Sequence, residues 1–403
     1  CIVTVGRWSA DNETNLRPID PEALELGPSS SEWFGVYFEE DKIGYAVTSR
    51  VSVADGSLLV TSEAAYTIAV MGTITKTVLA SSALLDGNRE LIQFDFYMSA
   101  DPVRIAGSGE VRGEELYVEL HQGGETQSLL LPIQETPQLS LSLGAWIESN
   151  IELAEGISWE VPYFDPVTLS TQSMLFSVVG TEILEGGEEA YWIAREVSGV
   201  QTRTLVTPSG QTLREESPFG FSMVRESAEA ARLMPDGSAV VDLIEISMVE
   251  LEGQVLRSAP QASFVVSGVS SERFMSTPPL QVVEGDVVRT RVPEISNVGI
   301  IPIAADSVQF AQYLESTPFI PVGHRRIIEQ SAEIIDGSNG RLEASRALAD
   351  WVYRYLEKRS TVGVPNALEV LDVGQGDCNE HTVLFVALAR AAGIPTKTVA
   401  GMV

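Results

Sequence analysis

The chain changes character once, near Pro293, and that change limits its fold more than any other feature. From Trp33 to about Val292, strand-length runs rich in Val, Ile, Leu and Thr alternate with turn signals. Val36-Tyr37-Phe38 and Ile43-Gly44-Tyr45-Ala46-Val47 flank Glu39-Glu40-Asp41 as a hairpin. Runs at 57–70, 72–84, 90–98, 111–120 and 127–131 follow, punctuated by Asp55-Gly56, Asp86-Gly87-Asn88, Arg112-Gly113 and Gly123-Gly124. A second β-rich portion starts near Ser158, with strand candidates at 174–179, 190–197, 201–206, 211–215, 240–251, 262–269 and 287–292, and a short helix at 226–233. Short strands at this spacing predict antiparallel sheet. Beyond Pro293 the apolar period becomes helical, at 307–314, 324–335 and 341–358. Strands followed by helices make the expected class α+β, a large antiparallel β-rich region and then a smaller α+β domain.

Length and charge narrow the partners. A chain of 403 residues, 44% of them hydrophobic, can bury two or three cores. The 26 Lys and Arg stand against 56 Asp and Glu, a net charge of −30 that repels phosphate backbones and argues against nucleic acid. Two cysteines and three histidines offer no metal-ligand spacing, so neither metal nor cofactor is expected. No apolar stretch is long enough to span a bilayer. Residues 1–32 read as a tether, polar and broken by Pro18, Pro21 and Pro28. Cys1 before it is either a lipidation site, the residue after a trimmed hydrophobic segment, or an arbitrary start. Residues 33–292 form the β-rich region, as one curved sheet or as two modules breaking near 135–158, and 293–403 form the last domain.

The chemistry concentrates at Gly374-Gln375-Gly376-Asp377-Cys378-Asn379-Glu380-His381-Thr382. Asp377 is suited to cap a helix and Glu380 stands three residues on, a capping box that puts Cys378 in the first helical position. Residues 383–389 are apolar nearly all round, which predicts a buried helix. Gly393 supplies the left-handed residue after it, Ile394 a packing contact and Pro395 a stop, with a strand expected over 396–403. A thiol at a helix start meets oriented N–H groups that favour the thiolate. Asp377 and Glu380 act the other way, so a cation, most naturally an imidazolium, has to tip the balance. Gly374 and Gly376 let backbone approach a substrate closely. The alternative is an inert helix thiol. Upstream, Leu348, Trp351, Val352, Tyr355 and Leu356 form one stripe, with Trp351 expected to pack under the Cys378 helix.

The run from Gly376 to Thr382, then Leu384-Phe385, Ala387-Leu388-Ala389-Arg390-Ala391-Ala392-Gly393-Ile394-Pro395 and Val399-Ala400-Gly401, resembles the core of bacterial transglutaminase-like proteins. Trp351-Val352 and Ala367-Leu368-Glu369-Val370-Leu371 fit the same pattern, so the resemblance covers 320–403. The segment with Lys42-Ile43-Gly44-Tyr45 resembles the β-rich leader of some bacterial envelope proteins that carry such domains.

The resemblance implies a papain-related fold and a Cys-His-Asp triad that cleaves or transfers amide acyl groups through a thioester. Cys378 would be the nucleophile, with Asp377, Glu380, His381, Gly376 and Trp351 in support. The family's His and Asp fall on strands further along than Val403, so only the N-terminal part of the domain is expected here, with little or no turnover. His381 is a poor candidate for the base, His324 reads as a capping or surface residue, and nothing links His121 to Cys378. The expected partner is a protein or peptide substrate, in the bacterial envelope on the periplasmic side, membrane-anchored if Cys1 carries lipid. The rival expectation is a non-catalytic envelope binding or scaffold protein with a degenerate domain.

Overall fold

The computed structural model describes residues 16, 18–70, 72–101, 103–122, 125–166, 169–197, 200–217, 220–234, 240–242, 251–254, 256, 258–268, 274, 276–292, 308–359 and 365–398. Its largest element is one fourteen-stranded antiparallel sheet. The first eight strands form a meander: β1 (Leu26–Phe38), β2 (Asp41–Val53), β3 (Leu58–Val70), β4 (Thr73–Leu85), β5 (Leu91–Ala100), β6 (Val103–Arg112), β7 (Glu115–Gln122) and β8 (Glu125–Pro132). Helix α1 (Leu143–Asn150) follows. Six more strands come after it: β9 (Ser158–Asp165), β10 (Ser170–Ile183), β11 (Glu189–Val197), β12 (Val200–Val206), β13 (Thr212–Glu216) and β14 (Phe221–Glu226). β14 pairs with β1, from Trp33 opposite Glu226 to Phe38 opposite Phe221. The strands on either side of 135–158, up to β14, are therefore one sheet, with α1 in the connection where a module break was an alternative.

Period-2 patterning sets the inner face. On β7 it turns Leu116, Val118, Leu120 and Gln122 inward. The sheet also curls. Phe94 on β5 and Phe164 on the edge strand β9 stand far apart in strand order, yet their rings lie 5.5 Å apart in one core. Gly109 on β6 makes room for this, since a Cβ there would come within 2.2 Å of the Phe94 ring. Helix α1 joins two cores, with Ala145 in the first and Leu143 and Ile147 in the second. Beyond β14, α2 (Ala228–Arg232) is held by the buried Lys42, whose Nζ donates to Glu226 Oε2 (2.7 Å) and to the Ala230 carbonyl (2.6 Å).

Several expectations are corrected. Residues 26–32, read as tether, are the start of β1. Their polar side chains are exposed, but their backbone pairs with β2, and Pro28 falls at a register shift where a missing N–H is tolerated. Ile19, Leu24 and Leu26 pack against Val51, Val53 and Leu59, so burial continues ahead of the strand. The strand expected at 240–251 and the turn at Gly123-Gly124 lie largely or wholly outside the described residues, as does Cys1. A small separate sheet contains β15 (Gln261–Val265), β16 (Gln281–Glu284) and β17 (Val287–Arg291), with β17 central.

The C-terminal unit opens with a 3₁₀ turn (Val308–Leu314), followed by α3 (Arg325–Ile334) and α4 (Arg341–Tyr355). Then come the two-residue strand β18 (Glu357–Lys358), α5 (Ala367–Val373), the two-residue strand β19 (Gln375–Gly376) and α6 (Cys378–Ala391). Its core is helical: Ile327, Leu348, Leu356, Leu384 and Leu388 are fully buried. α4 stops before the 358 expected, because Glu357 and Lys358 leave the helix to pair in parallel with Gln375 and Gly376. The strand expected from 396 is not formed over 396–398, and 399–403 lie outside the described residues. The α+β class holds, with a large antiparallel sheet and C-terminal helices. No described helix is long and apolar enough to cross a membrane.

Candidate active site

Four short-range devices place Cys378. The first is the end of α5, where Gly374 takes the left-handed conformation (φ 64°) and its N–H donates to the Val370 carbonyl. The second is the β18–β19 pair: the Glu357 N–H donates to the Gly374 carbonyl (2.9 Å) and the Arg359 N–H to that of Gly376 (3.3 Å). The third is the capping box. Asp377 Oδ1 accepts from the Asn379 N–H (3.0 Å), and the buried Glu380 returns Oε2 to the Asp377 N–H (2.9 Å). Gly376 is required by that return, because a Cβ there would stand 2.2 Å from the Glu380 Cβ. The fourth is the exit of α6, a Schellman motif in which the N–H groups of Gly393 and Ile394 donate to the carbonyls of Arg390 and Ala389.

The result is an exposed cysteine on the first turn of a buried helix. Its thiol differs from the simplest expectation for that position. The pKa is pushed up: partial desolvation of the thiol comes first, although the residue as a whole is exposed, and then the Asp377 and Glu380 charges. The helix start by itself does not lower the Cys378 pKa, because desolvation and the neighbouring carboxylates together exceed the lowering by the Cys378 backbone N–H.

His381 sits one turn on. Its Nδ1 lies 2.6 Å from the Asp377 carbonyl, which can only accept, so this nitrogen carries the proton and is no base for the thiol. The ring flanks Tyr353, with centroids 6.5 Å apart. Trp351 is half-buried against the helical core and stacks on Tyr355 at 4.4 Å, while the Tyr355 hydroxyl donates to the Leu371 carbonyl. The Trp351–Tyr355 stack lies on α4, and the Tyr355 hydroxyl ties it to α5. His324 caps α3 through the Arg326 N–H, and His121 contacts Thr126 at the β7–β8 turn; neither faces Cys378. Among the described residues no His, Cys, Asp and Glu cluster suits a metal ion.

Two supporting residues escaped the sequence reading. Arg390 is buried, and its guanidinium donates twice to the Thr396 carbonyl (3.0 and 2.9 Å) and once to that of Glu315 (2.6 Å). It ties the exit of α6 to the segment before α3. Ser331, also buried, donates to the Leu388 carbonyl (2.7 Å) and joins α3 to α6. The available signal was a polar residue inside an otherwise apolar helical face.

Comparison with known proteins agrees with this part of the chain. Residues 328–403 match the family model of the transglutaminase-like superfamily. An uncharacterised protein of Haemophilus influenzae is 30% identical over 101 residues, 24% of this chain and 27% of the relative, so the match spans about a quarter of that protein's length. Among solved structures, a β-barrel-like protein from Brucella abortus overlaps 51% of this chain and 97% of its own, at 12% identity and a TM-score of 0.39. A putative cysteine protease from Cytophaga hutchinsonii overlaps 36% of this chain and 57% of its own, at 16% identity and a TM-score of 0.25. Residues 328–403, the segment that holds Cys378, are transglutaminase-like.

Proposed function

We propose that the chain carries the nucleophile of a transglutaminase-like cysteine enzyme acting on amide bonds of a protein or peptide. The observation that carries this reading is the pre-set position of Cys378, exposed on the first turn of a capped, buried helix within the matched segment. The thiolate adds to an amide carbonyl, the amine leaves with a proton, and a thioester remains on Sγ. Water then releases the acid and restores the thiol. Hydrolysis is preferred to amine transfer, since water needs no acceptor site. The raised thiol pKa means that the reaction requires a cationic or basic partner beyond those the described residues bring to Cys378. The curled sheet would position the substrate, in the cell envelope on the periplasmic side, with Cys1 as a lipid anchor.

The same raised pKa favours a second reading, a non-catalytic envelope binding or scaffold protein with a degenerate domain. Iodoacetamide labelling of the full-length protein, followed at peptide level to separate Cys378 from Cys1, decides between them. The enzyme reading expects Cys378 to label faster than a free thiol at neutral pH, with loss of the adduct in Cys378→Ala. Labelling no faster than a free thiol overturns it and leaves the scaffold reading.

A further inference from the structure

The large sheet and the Cys378 loop meet at one polar contact. α5 turns Ala367, Leu368, Val370 and Leu371 into the helical core, which leaves Glu369 directed at the sheet. Glu369 Oε2 accepts from Gln122 Nε2 (2.9 Å), the last residue of the inward row on β7. Gln122 is itself buried, so this is an internal junction between the two units. Phe319, just before α3, adds an apolar contact to the sheet's main core, and its carbonyl accepts from the N–H of Ala367 at the start of α5.

The junction adjoins the site. Glu369 and Glu380 line one crevice with Val103, Val370, Val373 and Gln375. Glu380 is the carboxylate that caps α6, and only Gly374, Gln375 and Gly376 separate the end of α5 from Asp377. A shift of α5 against the sheet therefore moves the loop that sets Cys378. Charge passes along the same route. Desolvation comes first in raising the pKa of Glu369, with the nearby Glu380 and Asp372 adding to it, while the Gln122 hydrogen bond opposes the rise. The charged groups that act on Cys378 are Asp377, which caps α6, and Glu380 on its first turn, with the His381 ring one turn on; the Arg359 guanidinium goes to Gln375.

We propose that Glu369 is a positioning residue, through which Gln122 of the sheet holds the Cys378 loop in place and sets the charge around it. This rests on Cys378 being the working thiol of the proposed function. Residues that hold a reacting group through a second contact act by fixing geometry and local field, and both effects are measurable.

The test uses the full-length protein, with the pH profile of Cys378 alkylation read at peptide level and amide hydrogen exchange over 374–381. Glu369→Gln keeps the shape and an acceptor oxygen but removes the charge. It should lower the alkylation midpoint by about 0.3 pH unit with an unchanged melting temperature. Gln122→Ala should speed exchange over 374–381 by about threefold or more while exchange in α3 stays at its wild-type rate. If Gln122→Ala fails to fold, Gln122→Asn, one methylene too short to reach, replaces it. A wild-type midpoint in Glu369→Gln, or unchanged loop exchange in the Gln122 variant, overturns the proposal. Both readouts compare variants with wild type, whereas the nucleophile reading is decided by wild-type labelling against a free thiol, so the two can fail separately.

Discussion

The sheet and the C-terminal helical unit hold themselves together differently. In the sheet, cohesion is spread over a long ladder of backbone bonds and an apolar interior around Phe94, Leu116 and Phe164. Its charged pairs, such as Arg112 with Glu110 and Arg203 with Glu216, are mostly exposed and contribute little. The helical unit buries a carboxylate, Glu380, and a guanidinium, Arg390, and their hydrogen bonds go to backbone groups at the two ends of α6. A sheet can lose one contact and keep its register. A helix whose ends are fixed by single buried side chains cannot, and that is how a loop is held rigidly enough to present a thiol.

Phe94→Ala is the severest challenge to the distributed side of this contrast. It should cost about 3–5 kcal/mol by cavity formation, read from urea unfolding followed by fluorescence and by exchange in β5. Next, Arg390→Ala leaves the Thr396 and Glu315 carbonyls without their donor. It should destabilise by about 2–4 kcal/mol, with exchange protection lost first in α6 and the segment before α3. Loss spread evenly over the sheet in Arg390→Ala would break the contrast. Gly376→Ala forces Glu380 out of its cap and should cost about 1 kcal/mol or more, seen as a lower melting temperature and faster exchange at Asp377–His381.

One of the buried charged residues of the sheet, Asp95, sharpens the comparison by pH. Asp95 accepts from the Ile19 N–H (2.7 Å), and burial pushes its carboxyl up to about 6. A raised folded-state value means that the folded protein binds the proton more tightly. The stabilisation is complete below the unfolded value near 4 and is lost as pH rises through about 6. Unfolding free energy should therefore fall between about pH 4 and 6 in the wild type, and this slope should be smaller in Asp95→Asn; an equal slope in both excludes Asp95 as a source. The smallest effect is expected at the exposed Arg325–Glu329 pair on α3, where Arg325→Gln should leave the unfolding midpoint unchanged.

How much could be read in advance depends on distance along the chain. The capping box of Asp377 and Glu380, the first-turn place of Cys378 and the Gly393 exit were all legible, because each is decided by residues within one or two turns. The stop of α4 before 358 was not, since Glu357 leaves the helix to meet Gln375. Nor was the closure of β1 on β14, which pairs Trp33 with Glu226. Serine and proline at 28–31 read as tether because composition records exposure, whereas the backbone there is committed to a partner strand.

Cys378 divides the same way. By itself, the sequence determined that a cysteine would start a capped helix with two carboxylates beside it, because capping and charge spacing are local. Only the tertiary structure decided that the thiol is desolvated and shifted upward, and that Glu369 meets Gln122 from the far sheet. Desolvation and long-range pairing depend on what other segments bring against a residue, and no local pattern encodes that.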